Sequence, residues 1–356
     1  MKKSNTKTAR PDRAVVTIGI DLGDRFSHYA VLSEDGELIE EGRVKMTPEA
    51  VERKFGDWNY ARVAIEVGTH SPWMRRKLCE MGLEVIVANA RDLRAITGSN
   101  NKNDREDARK LARLAQSSLD LLAPVRHRSE TAQRDLLPIR SRALLVEERT
   151  RLVNGVRGLV KGFGYRLPLC ATKNLPGKAE GRLPDWLEEP LRPLLVMIEV
   201  LSELIRQANV KIEAMVGERY AEAQVLLTVP RVGALTALTY VLTLDDPRRF
   251  PKSRDVGCYL GLRPRRSQSG GSDPQLGITK AGDAYLRKLL VQSAHQILSR
   301  WGPESALRSW GLRLCERGGK NARKKAVVAV ARKLAVLLHK LWVTQQPWEA
   351  FPAAAD

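Results

Sequence analysis

The chain has 356 residues, 43% of them hydrophobic, enough for two or three domains around a sizeable core and too apolar for a disordered chain. No apolar run reaches the about eighteen residues of a membrane span, the basic N-terminus lacks a signal peptide's apolar core, and Cys79, Cys170, Cys258 and Cys315 are too scattered for a zinc site or disulfide framework, so the expectation is a cytoplasmic protein without a membrane partner. With 60 Lys and Arg against 41 Asp and Glu the net charge is +19, which calls for a polyanion, and only 5% aromatics favours contact with duplex DNA or structured RNA backbones over stacking on single strands.

Residues 15–22 (Val-Val-Thr-Ile-Gly-Ile-Asp-Leu) read as a buried strand that closes on Asp21. Residues 27–32 and 37–44 read as a hairpin around Glu34-Asp35-Gly36. A strand over 61–67 carries Glu66 at its end, and a helix over 70–81 and a strand over 84–88 follow. After a loop at 100–102 the pattern turns helical over 104–116, with Ala108, Leu111, Ala112, Leu114 and Ala115 available for burial. A three-stranded antiparallel start followed by β-α-β-α predicts a ribonuclease H/RuvC-like α/β domain over 14–125. Helical patterns then fill 126–222, a helical linker domain. Within it Leu194, Ile198, Leu201, Ile205, Ala208, Ile212 and Met215 are spaced 4-3-4-3-4-3. That seam suits either a coiled coil between copies of the chain, the preferred reading, or packing within one chain. A mainly helical third domain is expected over 223–345. Its 226–233 segment resembles a helix-hairpin-helix turn, with an ordinary helix connection as the alternative, and Val327, Val330, Leu334, Leu337, Leu338 and Leu341 form an apolar stripe near its end.

Two constellations carry chemistry. Carboxylates that end buried strands need a partner, because an unpaired buried charge is expensive. Asp21 and Glu66, with Asp104 and Asp107 one helical turn apart, supply four hard oxygen ligands that two divalent cations roughly 3.5–4 Å apart accept in phosphoryl transfer. Glu106 is a rival ligand pointing elsewhere, and His28 and His70, near the same strands, are read as structural. The second constellation runs from Gly261 to Lys288. Ser269 is followed by Gly270-Gly271 amid Arg263, Arg265, Arg266, Lys280, Arg287 and Lys288, a set that forms a phosphate clamp. A serine hydroxyl is a weak nucleophile unaided, and with no histidine in this stretch a metal is the expected activator. A plain phosphate-binding loop is the other reading of these residues. No P-loop, dinucleotide fingerprint or Ser-His-Asp arrangement is present.

Together the blocks Gly19-Ile20-Asp21-Leu22-Gly23, Ile65-Glu66, Lys102-Asn103-Asp104-Arg105-Glu106-Asp107-Ala108, Ser269-Gly270-Gly271 with Ile278-Thr279-Lys280-Ala281-Gly282, and 329–335 resemble the insertion-sequence DEDD transposases, from about residue 17 to 342. The resemblance implies that Asp21, Glu66, Asp104 and Asp107 hold Mg²⁺ and that Ser269 is a nucleophile forming a transient phosphoserine bond with DNA. It also implies a structured non-coding bridge RNA that selects donor and target DNA, and a homo-oligomer, dimer or tetramer, in which one copy's RuvC-like domain meets another's serine. A RuvC-like structure-selective nuclease using water as nucleophile is the alternative function.

Overall fold

The computed structural model describes residues 16–58, 60–89, 103–274 and 276–351, so the loop expected at 100–102 lies outside the described residues. The chain divides into two compact units, one ending at His127 and the other starting at Arg128.

In the first unit five strands form one sheet: β1 (Thr17–Asp21), β2 (Phe26–Leu32), β3 (Leu38–Lys45), β4 (Arg62–Glu66) and β5 (Glu84–Ala88), in the order β3-β2-β1-β4-β5. β1 pairs antiparallel with β2 and parallel with β4, and β5 adds parallel to β4. Between β3 and β4 lies α1 (Pro48–Phe55), a helix the sequence reading passed over. Its start was nonetheless signalled: Thr47 accepts from the Ala50 amide, Pro48 opens the first turn, and Val51 and Phe55 are buried. Helix α2 (Ser71–Glu80) joins α1 on one sheet face, over Ile18, Ile20, Val63, Ile65 and Val87.

The opposite face takes α3 (Asp104–Ser117), which packs on Ala64, Ile86 and Ala88 through Leu111 and Ala115. Gly19 makes this possible: a Cβ there would lie 2.1 Å from the Ala108 carbonyl oxygen and 2.5 Å from the Ala112 nitrogen. Only glycine admits the helix backbone at this separation. Asn103 caps α3 by accepting from the Arg105 amide at 3.2 Å.

The second unit is nearly all helix. Two long helices, α4 (Glu130–Lys161) and α6 (Asp185–Glu218), are joined through the short α5 (Leu175–Ala179). The contacts Arg149–Ser202 and Arg142–Asn209 place α4 and α6 antiparallel. Of the two readings of the heptad seam, packing within the chain is the one found. Ile198, Leu201, Ile205 and Ile212 are buried, Ile198 with Val153, Val156 and Val160 of α4. The fold thus gives this stripe a partner within the chain and leaves a coiled coil between copies unsupported, while Leu194, Ala208 and Met215 stay half-buried.

The remaining helices are α7 (Ala221–Leu227), α8 (Ala234–Leu244), α9 (Asp255–Tyr259), α10 (Ala284–Ile297), α11 (Ala306–Glu316) and α12 (Ala322–Thr344). Their core centres on Tyr240, whose hydroxyl donates to the Ala335 carbonyl at 2.6 Å, and on the α12 stripe of Val327, Val330, Leu334 and Leu338. The 228–233 segment is the turn between α7 and α8, with Arg231 at φ +70° in a region that favours glycine. No helix among the described residues is long and apolar enough to cross a membrane.

Candidate active site

Alternation along the strands fixes where the first-unit carboxylates point. Side chains two apart share a face, so Asp21 lies on the side of Gly19, and Glu66 on the side of Ala64, both facing α3. Because Ile20 registers with Ile65 in parallel strands, Asp21 and Glu66 are adjacent at the same sheet end. Helix α3 runs antiparallel to β1. Its Gln116 amide reaches the Ser33 carbonyl beyond the β2 end that pairs with Thr17, so its N-terminus, with Asp104 and Asp107, lies at the Asp21 end. Four carboxylates therefore share one end and one face of the sheet, two of them in the first turn of a helix whose dipole favours negative charge.

Their partners divide them. His28, registered opposite Asp21, has its Nδ1 at 3.7 Å from Asp104, and Lys110 lies 3.4 Å from Asp107. The side chain of Glu66 makes no hydrogen bond or ion pair among the described residues, while its backbone belongs to the β4–β5 ladder. Glu106, the rival ligand, is taken by Arg109 at 2.7 Å, and Arg109 also holds Glu41 at 2.7 Å. His70 donates through Nε2 to Asp24 at 3.4 Å and accepts at Nδ1 from the Trp73 indole at 3.2 Å, a structural link.

All four candidate ligands are oxygen donors that suit a hard divalent cation. They do not form a closed cage: among the described residues no three His, Cys, Asp or Glu side chains are gathered as a ready metal group. Like charges side by side repel, and Asp104 and Asp107 turn instead to His28 and Lys110. The donor set and its shared face fit a cation, with side-chain movement needed to close around it.

In the second unit Ser269 sits exposed at the tip of an arm formed by residues 261–274 and 276–282. Opposed backbone bonds build the arm: Lys280 N–H to the Gly261 carbonyl (3.1 Å), Thr279 to Arg263 (2.9 Å) and Arg265 to Gly277 (3.0 Å). At the tip Ser269 and Ser272 exchange backbone bonds of 3.2 and 3.1 Å across Gly270, which has φ +56°. The base is clamped by Gly261 and Gly282, both at positive φ, where added Cβ atoms would meet the Ala281 nitrogen at 2.2 Å and the Tyr259 carbonyl oxygen at 2.1 Å.

The six basic candidates fall into different settings. Arg263, Arg265 and Lys280 are exposed and make no ion pair among the described residues. Arg266 meets Asp273 at 3.2 Å, and Lys288 lies 3.9 Å from Glu147. Arg287 is used inside the fold, donating to the carbonyls of Leu260 (3.0 Å) and Ala281 (2.6 Å) beneath the arm. Sequence reasoning missed Asp283, which follows the arm. It caps α10 by accepting from the Leu286 amide at 2.9 Å, and it pairs with Arg140 and, at 3.2 Å, Arg128. Burial alone would raise its pKa, but the Leu286 amide and the two guanidinium groups hold the carboxyl below its ordinary range. Its partners lie over 140 residues away in sequence, so no local pattern announces them.

Comparison with known proteins adds a second line. A family model described as a transposase of the IS110 DEDD type matches residues 18–164, and one described as the transposase IS116/IS110/IS902 family matches residues 223–310. The chain is 28% identical over 351 residues to the transposase for insertion sequence element IS1111A of Coxiella burnetii, covering 96% of this chain and 93% of that protein. It is 30% identical over 288 residues to a probable family 20 transposase of Pseudomonas aeruginosa, covering 78% and 83%. A pilin gene-inverting protein of Moraxella bovis is 27% identical over 128 residues, 36% of this chain and 38% of that one.

Proposed function

The chain belongs to the insertion-sequence DEDD transposases of the IS116/IS110/IS902 family and is a DNA transposase, and from that premise we propose that it cuts and rejoins DNA through Ser269 with the help of Asp21, Glu66, Asp104 and Asp107. The observation that supports the proposal is that strand register and the direction of α3 put those four carboxylates at one end and on one face of the sheet, short of a closed metal group. In this reading residues 14–125 carry the carboxylates, 126–222 form a helical linker, and 223–345 carry the serine.

Asp21, Glu66, Asp104 and Asp107 would hold Mg²⁺, which when bound polarises a phosphate and eases loss of the attacking hydroxyl's proton. The Ser269 Oγ forms a bond to phosphorus while the bond from phosphorus to a deoxyribose oxygen breaks. The hydroxyl proton passes to base, and the freed oxygen takes up a proton. Reversal with another strand's hydroxyl restores a phosphodiester and frees the serine, so no net hydrolysis occurs. The exposed tip supports the nucleophile role, since it leaves Ser269 open to an incoming phosphate. Arg263, Arg265, Arg266, Lys280 and Lys288 would hold the phosphates on either side. Arg287 holds the arm's base, from which it supports that set. The carboxylates and the serine belong to different units, so the reading requires one phosphate that both reach, within one chain or between copies.

A structured RNA partner is supported by the net charge of +19, and DNA by the family. For an oligomer the supporting feature is a stripe left outside the filled seam, Met197, Val200 and Leu204, each 42–49% exposed. The test is a denaturing gel with labelled donor DNA and Mg²⁺. Wild type is expected to retain label, and Ser269→Ala and Asp21→Ala to lose both label and strand transfer. Cleavage that survives Ser269→Ala with no label retained would instead favour a nuclease using water.

A further inference from the structure

Beside the serine arm lies a groove of about 940 Å³, walled by the arm and by one face of α12, with α11 contributing Trp310. Its rim is cationic: Arg265, Arg266, Lys324, Lys325, Arg332 and Lys333. Among the described residues one carboxylate lines it, Asp273, and that charge is met by Arg266 at 3.2 Å. Its floor is of another kind: Leu262, Ile278, Val328, Val336 and Trp310.

Helix α12 explains this mixture. It carries two stripes. Val327, Val330, Leu334 and Leu338 are buried in the core. Lys325, Val328, Ala329, Arg332 and Val336, at intervals of three, one, three and four, face the groove. In the second stripe Lys325 is exposed and Val328, Ala329, Arg332 and Val336 are half-buried, and it is cationic only in part. Arg332 is held at the groove by packing over Gly257, and Lys333 stands 4.5 Å above the Trp310 ring. The cations are thus positioned around an apolar surface and do not fill it.

Resting on the reading that this unit offers Ser269 to a DNA phosphate, we propose that the groove takes unpaired nucleotides of the strand being cut. Charge selects a polyanion. The apolar floor selects more than its phosphates, because a duplex presents sugar and phosphate outward and keeps its bases stacked inside. An aliphatic floor gains most from covering a base face, which a stacked duplex does not offer and an unpaired nucleotide does. The volume also lies in the range of sites for small molecules, about 300–1,000 Å³. Arg265, Arg266 and Asp273 line the groove and belong to the arm that carries Ser269, so a strand held at the tip has the groove along its path. Bases displaced beside the cut are sheltered there before rejoining.

The experiment uses the full chain and two single-stranded probes of equal length and charge: a short oligothymidylate and a tetrahydrofuran-backbone oligomer without bases. Affinities are read by fluorescence anisotropy at one salt concentration. The wild type is expected to bind the base-bearing probe about tenfold tighter, the scale of one buried base. Ala329→Trp fills the floor and leaves all six cations, and is expected to bind both probes equally, with circular dichroism showing that it has folded. Equal wild-type affinity for the two probes overturns the proposal, whatever the variant does; so does a folded Ala329→Trp that keeps the preference. If the serine adduct forms on donor DNA while the probes bind equally, the groove inference alone has failed. If the preference holds and no adduct forms, the nucleophile assignment has failed and the groove stands.

Discussion

Asp283 is a buried carboxylate that accepts from the Leu286 amide and faces the guanidinium groups of Arg128 and Arg140. Removing its charge leaves two cations turned towards a neutral amide. Both are partly exposed, so Asp283→Asn is expected to cost about 1–3 kcal/mol in urea unfolding, well short of a fully buried pair. Its folded pKa lies below the unfolded one, so its contribution is present above about pH 4 and is lost as pH falls through the folded value. Wild type is therefore expected to lose more stability than Asp283→Asn between about pH 5 and pH 3. Parallel curves for the two proteins would contradict this. Tyr220 shows the opposite direction, its phenol pushed up by burial and by its bond to Asp135.

At the scale of elements, the close approach of α3 to β1 decides where two of the four carboxylates stand. Gly19→Val places side-chain atoms where the α3 backbone runs. We expect a cost of about 3 kcal/mol by denaturant unfolding, with strand transfer lost even under conditions where the variant is folded. Full activity in Gly19→Val would mean that α3 need not sit on β1. The strands were legible because a short apolar run bounded by turn residues is a local signal: the five expected strands and the 104–116 helix all appear within a residue or two. Helix α1 was not, since its buried positions, Val51 and Phe55, are only two in eight residues and its signal lay in its cap. The heptad seam was legible as a stripe but not as to its partner. The stripe records that an apolar face is covered, and only the fold tells that α4 covers it. Leu201→Asp with Ile205→Asp is accordingly expected to reduce helical circular dichroism and the unfolding midpoint. A smaller particle in solution with helicity unchanged would point back to a seam between copies.

For the whole molecule the relevant quantity is the net charge of +19. Cations that displace counterions from a duplex lower log K by about 0.9 per phosphate contact for each tenfold rise in salt. DNA binding is expected to weaken steeply between low and moderate salt, and a flat dependence by anisotropy titration would contradict a phosphate-based interface. Part of the acidic site was readable at this scale, because its members end strands and open a helix in chain order. Their spread over nearly ninety positions hid one partner, His28, which only strand pairing and helix docking bring near Asp104, whereas Lys110 lies one helical turn from Asp107.

A seryl phosphodiester at the tip of the arm is the intermediate on which serine-mediated strand transfer depends. Peptide mass spectrometry of wild-type protein trapped with donor DNA and Mg²⁺, after nuclease digestion, reads it directly. A nucleotide remnant on the Ser269 side chain is the predicted result. Cleaved DNA with an unmodified Ser269 peptide, or the remnant on Ser267 or Ser272, would contradict it.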